Sequence, residues 1–375
     1  MQIDSLSWEG FRNLGTGRLQ PVPGVNILYG DNAQGKTNLL EAIWLFTGGR
    51  SFRGARDSEL VRIGGEKARL SLEFTAADRR QEAEITVEKR RAAVLNGVPQ
   101  TSAAQLAGVF CAVVFSPAHL ALVKDGPEGR RRFLDAAYCQ LRPGYVHTLA
   151  EYNRALTQRN ALLKDARFRP DCMELLEIFD EKLAQLGARV ILARNAYIAR
   201  LQPIACSVYD GLSGGREQLE IAYRFAADGM TSDRETLVLQ LRETLKARRK
   251  EELAAGCTLT GPHRDDLEVT IGGLPARSFG SQGQQRSAVL ALKLAEASVL
   301  REVTGEQPVA LLDDVMSELD VSRQDYILNH IHGWQVFITC CEPSAVLRLA
   351  GGRTFHIQSG AVAAENDHDG SSFAE

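Results

Sequence analysis

Gly30-Asp31-Asn32-Ala33-Gln34-Gly35-Lys36-Thr37, met directly after the apolar run Val25-Asn26-Ile27-Leu28-Tyr29, decides the fold class. The octapeptide matches G-x-x-x-x-G-K-[ST], and behind it Leu39, Leu40, Ile43, Trp44 and Phe46 recur at helical steps. Strand, glycine loop and helix in that order make a mixed α/β unit. Glycines at both ends let the backbone curl so that successive N–H groups face one anion, and the helix adds its positive N-terminal end. A chance glycine turn would not also place a lysine and a threonine correctly. Lys36 is then expected at the β- and γ-phosphates of a nucleotide, and the Thr37 hydroxyl on Mg²⁺.

Such a site needs a carboxylate, and Val309-Ala310-Leu311-Leu312-Asp313-Asp314 supplies two at the end of an apolar run. This is the Walker B pattern: Asp313 is expected to hold Mg²⁺ through water, and Asp314 to orient or deprotonate an attacking water. Between the two motifs, Leu70, Leu72, Phe74, Ile85 and Val87 alternate around Gly64-Gly65 and Asn96-Gly97 turns, which predicts antiparallel hairpins. From Leu149 to Tyr197 the apolar residues fall at three- and four-residue steps as far as Pro203, which predicts helices ending there. The organisation that follows is a head from 1–118 and 256–360, a helical lobe over 119–255, and a disordered acidic tail over 361–375.

The chain has 375 residues, 44% hydrophobic and 24% charged, which is ordinary globular usage and excludes a fibrous or wholly disordered protein. No run of about 18 apolar residues occurs and Met1–Gly10 lacks a signal-peptide pattern, so a cytoplasmic protein without membrane contact is expected. Seven scattered cysteines without a C-x-x-C pair suggest neither disulfides nor zinc. The formal charge is −3, but Ala361–Glu375 alone carries −4, while Lys124–Glu252 holds 22 Lys/Arg against 19 Asp/Glu. Basic runs stand at Lys89–Arg91, Arg130-Arg131-Arg132 and Lys246–Lys250, the last including Arg248, Arg249 and Lys250. Each fits either a solvated face or a phosphate-contact patch.

Ser281-Gln282-Gly283-Gln284-Gln285-Arg286 opens a helical stretch 32 residues before Asp313, and Ser317-Glu318-Leu319-Asp320 follows it. Alone, the hexapeptide reads as a helix N-cap. In this order the set resembles ABC-type ATPase heads. Gly10-Phe11-Arg12-Asn13, Asn38–Ile43, Ser51-Phe52-Arg53, Phe115-Ser116-Pro117, Leu122–Pro127, Arg131–Asp135 and Gly261–Leu267 narrow the resemblance to the RecF family of DNA repair proteins over Met1–Gln358. Lys36 and Ser281 lie 245 residues apart, which exceeds a transporter subunit's insertion and falls far short of an SMC or Rad50 coiled coil.

The resemblance implies an ABC-type ATPase head with a β-subdomain and an inserted helical lobe. It implies an ATP site built from Gly30 to Asn38, Arg53 near the γ-phosphate, Thr339 as a switch residue, and Ser281, Gly283 and Gln284 capping the nucleotide of a second copy. ATP-dependent homodimerisation, backbone contacts to single-stranded and duplex DNA, weak DNA-stimulated ATP hydrolysis, and work with RecR and RecO in loading RecA are implied in the same way. Two departures stand out: Ala118-His119 replaces the family's usual acidic pair, and Cys340-Cys341 replaces threonines. For His263 and Arg264 a salt-bridged structural corner and a functional role both fit. The competing classes are a membrane transporter's ATPase, disfavoured by the helical insertion and by the absence of a switch histidine after Thr339, and a scaffold that binds ATP without turnover.

Overall fold

The computed structural model describes residues 1–165, 172–226, 231, 233–343 and 352–368. Its centre is a six-stranded sheet in the order 361–368, 352–358, 25–29, 336–340, 309–313, 112–115. All neighbours are parallel except the outermost pair, 352–358 with 361–368. A parallel sheet covered on both faces needs strands apolar throughout, and Val309–Asp313 is buried at every position. Successive residues serve opposite layers. Val113, Phe115 and Leu312 face the helix Gln282–Thr304 and the long helix Cys172–Ser213. Val114, Leu311 and Phe337 face the helix Lys36–Leu45 and a second sheet.

That second sheet is antiparallel, in the order 16–19, 2–9, 68–76, 79–87, 91–95, 98–100. Ala68–Ala76 alternates buried and solvent-facing residues, as a sheet with one wet face requires. These are the hairpins the alternation predicts.

Three expectations are corrected. The long helix does not stop at Pro203 but runs to Ser213, about 63 Å at 1.5 Å per residue. Pro203, which removes the helical donor to the Ala199 carbonyl, lies on the solvent side, as does Ala199, while Leu201, Ala205, Val208 and Tyr209 continue the buried stripe. Second, the 119–255 region is not wholly helical: Leu219–Arg224 is a strand paired with Asp266–Ile271, and the long helix shares one core with the helix Gln282–Thr304. Third, the acidic tail is ordered in its first half. Ala361–His368 pairs along Gly352–Gln358 and Arg353 holds Asp367 at 2.6 Å, so the acids decorate an edge strand, where charge discourages further pairing. Residues 369–375 lie outside the described residues.

Candidate functional site

In parallel sheets, ligands gather at the carboxyl ends of strands, and here three such ends are level. The pairings Leu28 with Thr339 and Thr339 with Asp313 bring the phosphate loop, the candidate switch residue and the acidic pair side by side. Gly30 has φ +143°, and a Cβ there would lie 2.3 Å from the Ile357 carbonyl oxygen; at Gly35, φ +112°, it would strike Leu14. Only glycine fits these two positions. Asn13 Nδ2 donates to the Ala33 carbonyl at 2.9 Å, while the Ser359 and Gly360 N–H groups donate to Gln34 at 2.6 and 3.0 Å. The crown of the loop is thus pinned from two sides.

Lys36 Nζ, buried, donates to the Gly30 and Asp31 carbonyls at 2.6 and 3.0 Å, arching over the loop it follows. Thr37 Oγ1 donates to Asp313 Oδ1 at 2.7 Å, and Thr339 Oγ1 donates to the same oxygen at 3.1 Å. The Thr339 hydroxyl in turn accepts the Asp314 N–H at 2.8 Å, holding Asp314 in a left-handed conformation, φ +49°. Burial pushes the Asp313 carboxyl above the usual carboxylate range and Asp314 adds repulsion, against the two hydroxyls that pull it down. A buried acid in that state fits a cation. Among the described residues no three His, Cys, Asp or Glu converge, so the donors suit an ion completed by phosphate oxygens and water, as Mg²⁺ prefers.

The loop opens onto a cleft of about 730 Å³ lined by Arg12, Asn13, Asn32–Asn38, Arg53, Glu59, Val61–Ile63 and Asp314. Arg53 Nη1 donates to Asn38 Oδ1 at 2.8 Å. Gly30 to Asn38, Arg53, Asp313, Asp314 and Thr339 are therefore brought together. Ser281, Gly283 and Gln284 are not among the residues lining this cleft. Ser281 caps its helix in a reciprocal bond with Gln284, Gln284 also donates to Glu217 at 2.6 Å, and Arg323 holds the Gly283 carbonyl at 3.1 Å. The segment is a preformed helix N-terminus, with Ser281 and Gln282 exposed.

The basic runs fare differently. Arg130 is withdrawn as a DNA contact: it is buried, forks onto both oxygens of Asp266 at 2.8 Å and donates to the Leu122, Val123 and Asp125 carbonyls. Arg131 donates to the Asp265 carbonyl, Arg248 to Glu251, and Arg249 pairs with Asp180 and Glu177. Arg132 and Lys250 are exposed. In the hairpin run Arg91 holds Asp57 at 2.9 Å. His263 lies between the Tyr152 hydroxyl at 2.6 Å and the Thr258 carbonyl at 3.1 Å, and Arg264 reaches the same carbonyl, so both belong to the structural corner. His119 bonds Ser116 at 2.9 Å within a short capped turn, and Cys341 Sγ lies 3.3 Å from Asn32 on the phosphate loop.

The N-terminal domain family of RecF, RecN and SMC proteins matches residues 2–350. The DNA replication and repair protein RecF of Acetivibrio thermocellus is 39% identical, covering 95% of this chain and all of that protein; RecF of Heliobacterium modesticaldum is 41% identical over 98% of this chain and all of its own length. The chain belongs to the RecF family. A solved structure of the recombination mediator RecF with ATPrS in the RecFOR pathway superimposes with a TM-score of 0.89 at 39% identity, covering 96% of this chain and 97% of that one. An SMC head from Pyrococcus furiosus shares the fold, with a TM-score of 0.55 at 15% identity, 98% of this chain and 96% of that one. The α/β head expected of RecF proteins is thus present. Sequence reasoning gave no role to Arg12, Asn13 and Glu41, although each stands in a stretch that carries the RecF resemblance; nothing in their spacing announces a shared network.

Proposed function

We propose that this chain is a cytoplasmic, ATP-gated DNA-binding protein of recombinational repair and replication. ATP with Mg²⁺ occupies the cleft, its phosphates wrapped by Gly30 to Thr37 and its ion held by Thr37 and, through water, Asp313. Ser281, Gly283 and Gln284 of a second copy close over it, so that two heads sandwich two nucleotides and form a DNA-binding surface. Slow, DNA-stimulated hydrolysis, with Asp314 orienting water, Thr339 holding Asp314 and Arg53 at the γ-phosphate, reopens the pair. RecR, and with it RecO, are the protein partners through which RecA is loaded at gaps or junctions of single- and double-stranded DNA.

The observation that carries this reading is the separation of the two half-sites: a complete phosphate cradle at one place and a preformed anion-seeking helix end elsewhere on the same chain. The transporter reading, in which the ATPase couples to membrane helices of another chain, is disfavoured by the inserted 42-residue helix Cys172–Ser213 and by Cys340-Cys341 standing after Thr339 where a switch histidine would be. The test is sedimentation and duplex-DNA binding with ATP, ADP and no nucleotide. ATP should promote both dimer and DNA complex, and Lys36→Ala should abolish the effect; equal behaviour in all three conditions overturns the gating.

A further inference from the structure

One carboxylate next to the nucleotide cleft is assigned no role by the reading above, though it rests on that reading. Glu41 sits on the phosphate-loop helix with its side chain wholly buried. A buried charge is retained only where paired and hydrogen-bonded. Its two oxygens take the Arg12 fork, Nε to Oε2 and Nη2 to Oε1, each at 2.9 Å, and Oε1 also accepts the Ser51 hydroxyl.

The Ser51 oxygen, its proton committed to Glu41, accepts the Arg53 N–H and the Ala55 N–H at 3.2 Å each. The turn that carries Arg53 is therefore tied to the phosphate-loop helix through Glu41. Arg53 Nη1 lies 3.9 Å from Glu41 Oε2 and bonds Asn38, Asn38 bonds Asn13 at 2.6 Å, and Asn13 returns to the loop carbonyl of Ala33. The circuit is closed, and both of its arginines face the cleft.

We infer that Glu41 is a positioning residue: through Ser51 and Arg12 it sets the two guanidinium groups at the end of the cleft where the third phosphate arrives, so that the chain distinguishes ATP from ADP. The carboxylate neutralises Arg12 without reaching the nucleotide, and the turn carrying Arg53 cannot drift while Ser51 is held.

Calorimetric titration of the full chain with ATP and with ADP, in Mg²⁺, tests this. Arg53→Ala defines how far ATP preference can fall along the Ser51 path. Glu41→Gln removes the charge and Ser51→Ala cuts the same path without changing charge. Each is expected to weaken ATP binding about tenfold, the size of one charge-assisted hydrogen bond, while ADP affinity moves by less than about twofold. Ser51→Ala should not lower ATP preference further in the Arg53→Ala background, because the two act along one path, whereas Glu41→Gln keeps the share it exerts through Arg12. Retained ATP preference in both variants overturns the assignment. So does an equal shift for ATP and ADP in Glu41→Gln with none in Ser51→Ala, which is the signature of charge alone. Should Glu41→Gln fail to fold, Ser51→Ala decides by itself. A wild-type chain without Lys36-dependent ATP binding overturns the nucleotide reading and this role together.

Discussion

Arg130→Ala separates a structural arginine from a DNA-binding one. Arg130 is 4% exposed and its partner Asp266 is 32% exposed, so the mutation strands a half-wet carboxylate rather than a dry one. Breaking a buried pair by deleting one partner costs about 3–5 kcal/mol, and water reaching Asp266 puts this case near the lower end, about 3. The Leu122, Val123 and Asp125 carbonyls lose their shared donor, which adds about 1 kcal/mol. A total of about 4 kcal/mol is a large part of the 5–15 kcal/mol that folded domains typically possess. The urea midpoint, followed by circular dichroism, should fall by roughly 1 M or more. DNA affinity measured across salt, at a temperature where the variant stays folded, should keep its slope. Lys250→Ala is the contrast: exposed, it should leave the unfolding free energy within about 0.5 kcal/mol, and if the lobe meets phosphates it should flatten the slope by about one. An Arg130→Ala protein with an unchanged midpoint and a flatter salt slope would refute the structural assignment.

Gly30→Ala places a methyl 2.3 Å from the Ile357 carbonyl at a φ that costs a substituted residue about 1–3 kcal/mol, so nucleotide affinity should drop at least about tenfold; Gly24→Ala, with nothing within 4 Å of the new methyl, should titrate like wild type. His263, lowered from 6.5 to about 4 chiefly by burial, stays neutral in the fold while the unfolded chain takes up its proton first. Stability should therefore fall as pH drops from 6.5 towards 4 and be level above, and His263→Gln should flatten that part of a denaturation-versus-pH series; parallel curves would count against it.

The phosphate loop and Asp313 were legible because their chemistry is local: glycines, lysine and threonine stand in one octapeptide, and the acids end an apolar strand. The Glu41 circuit was not, because Arg12 and Asn13 on one turn and Ser51 on another meet Asn38 and Glu41 only once both turns fold onto one helix. Leu219–Arg224 had a visible signal, the alternation Leu219, Ile221, Tyr223, which the helical texture on both sides obscured. Pro203 misled because helix rules describe the backbone, and here a buried stripe on the opposite face outweighs one lost bond. Arg130 misled in another way. A run of three arginines looks uniform in sequence, yet helix geometry turns one inward against Asp266 and leaves Arg132 in water. The acidic strand Ala361–His368 was missed because composition speaks of solvation, and an edge strand is solvated.

The late hairpin, 352–368, lies against a strand synthesised at residues 25–29, and the bond from Ser359 to Gln34 spans 325 residues. At about 5–20 residues per second, a ribosome holds the loop without this brace for roughly 15 to 65 s. During that interval Gly30 has no Ile357 carbonyl to close against and Gln34 no Ser359 or Gly360 N–H to accept, so the crown of the loop is pinned from the Asn13 side alone. A chain broken off before the hairpin therefore carries the whole octapeptide with one of its two braces missing.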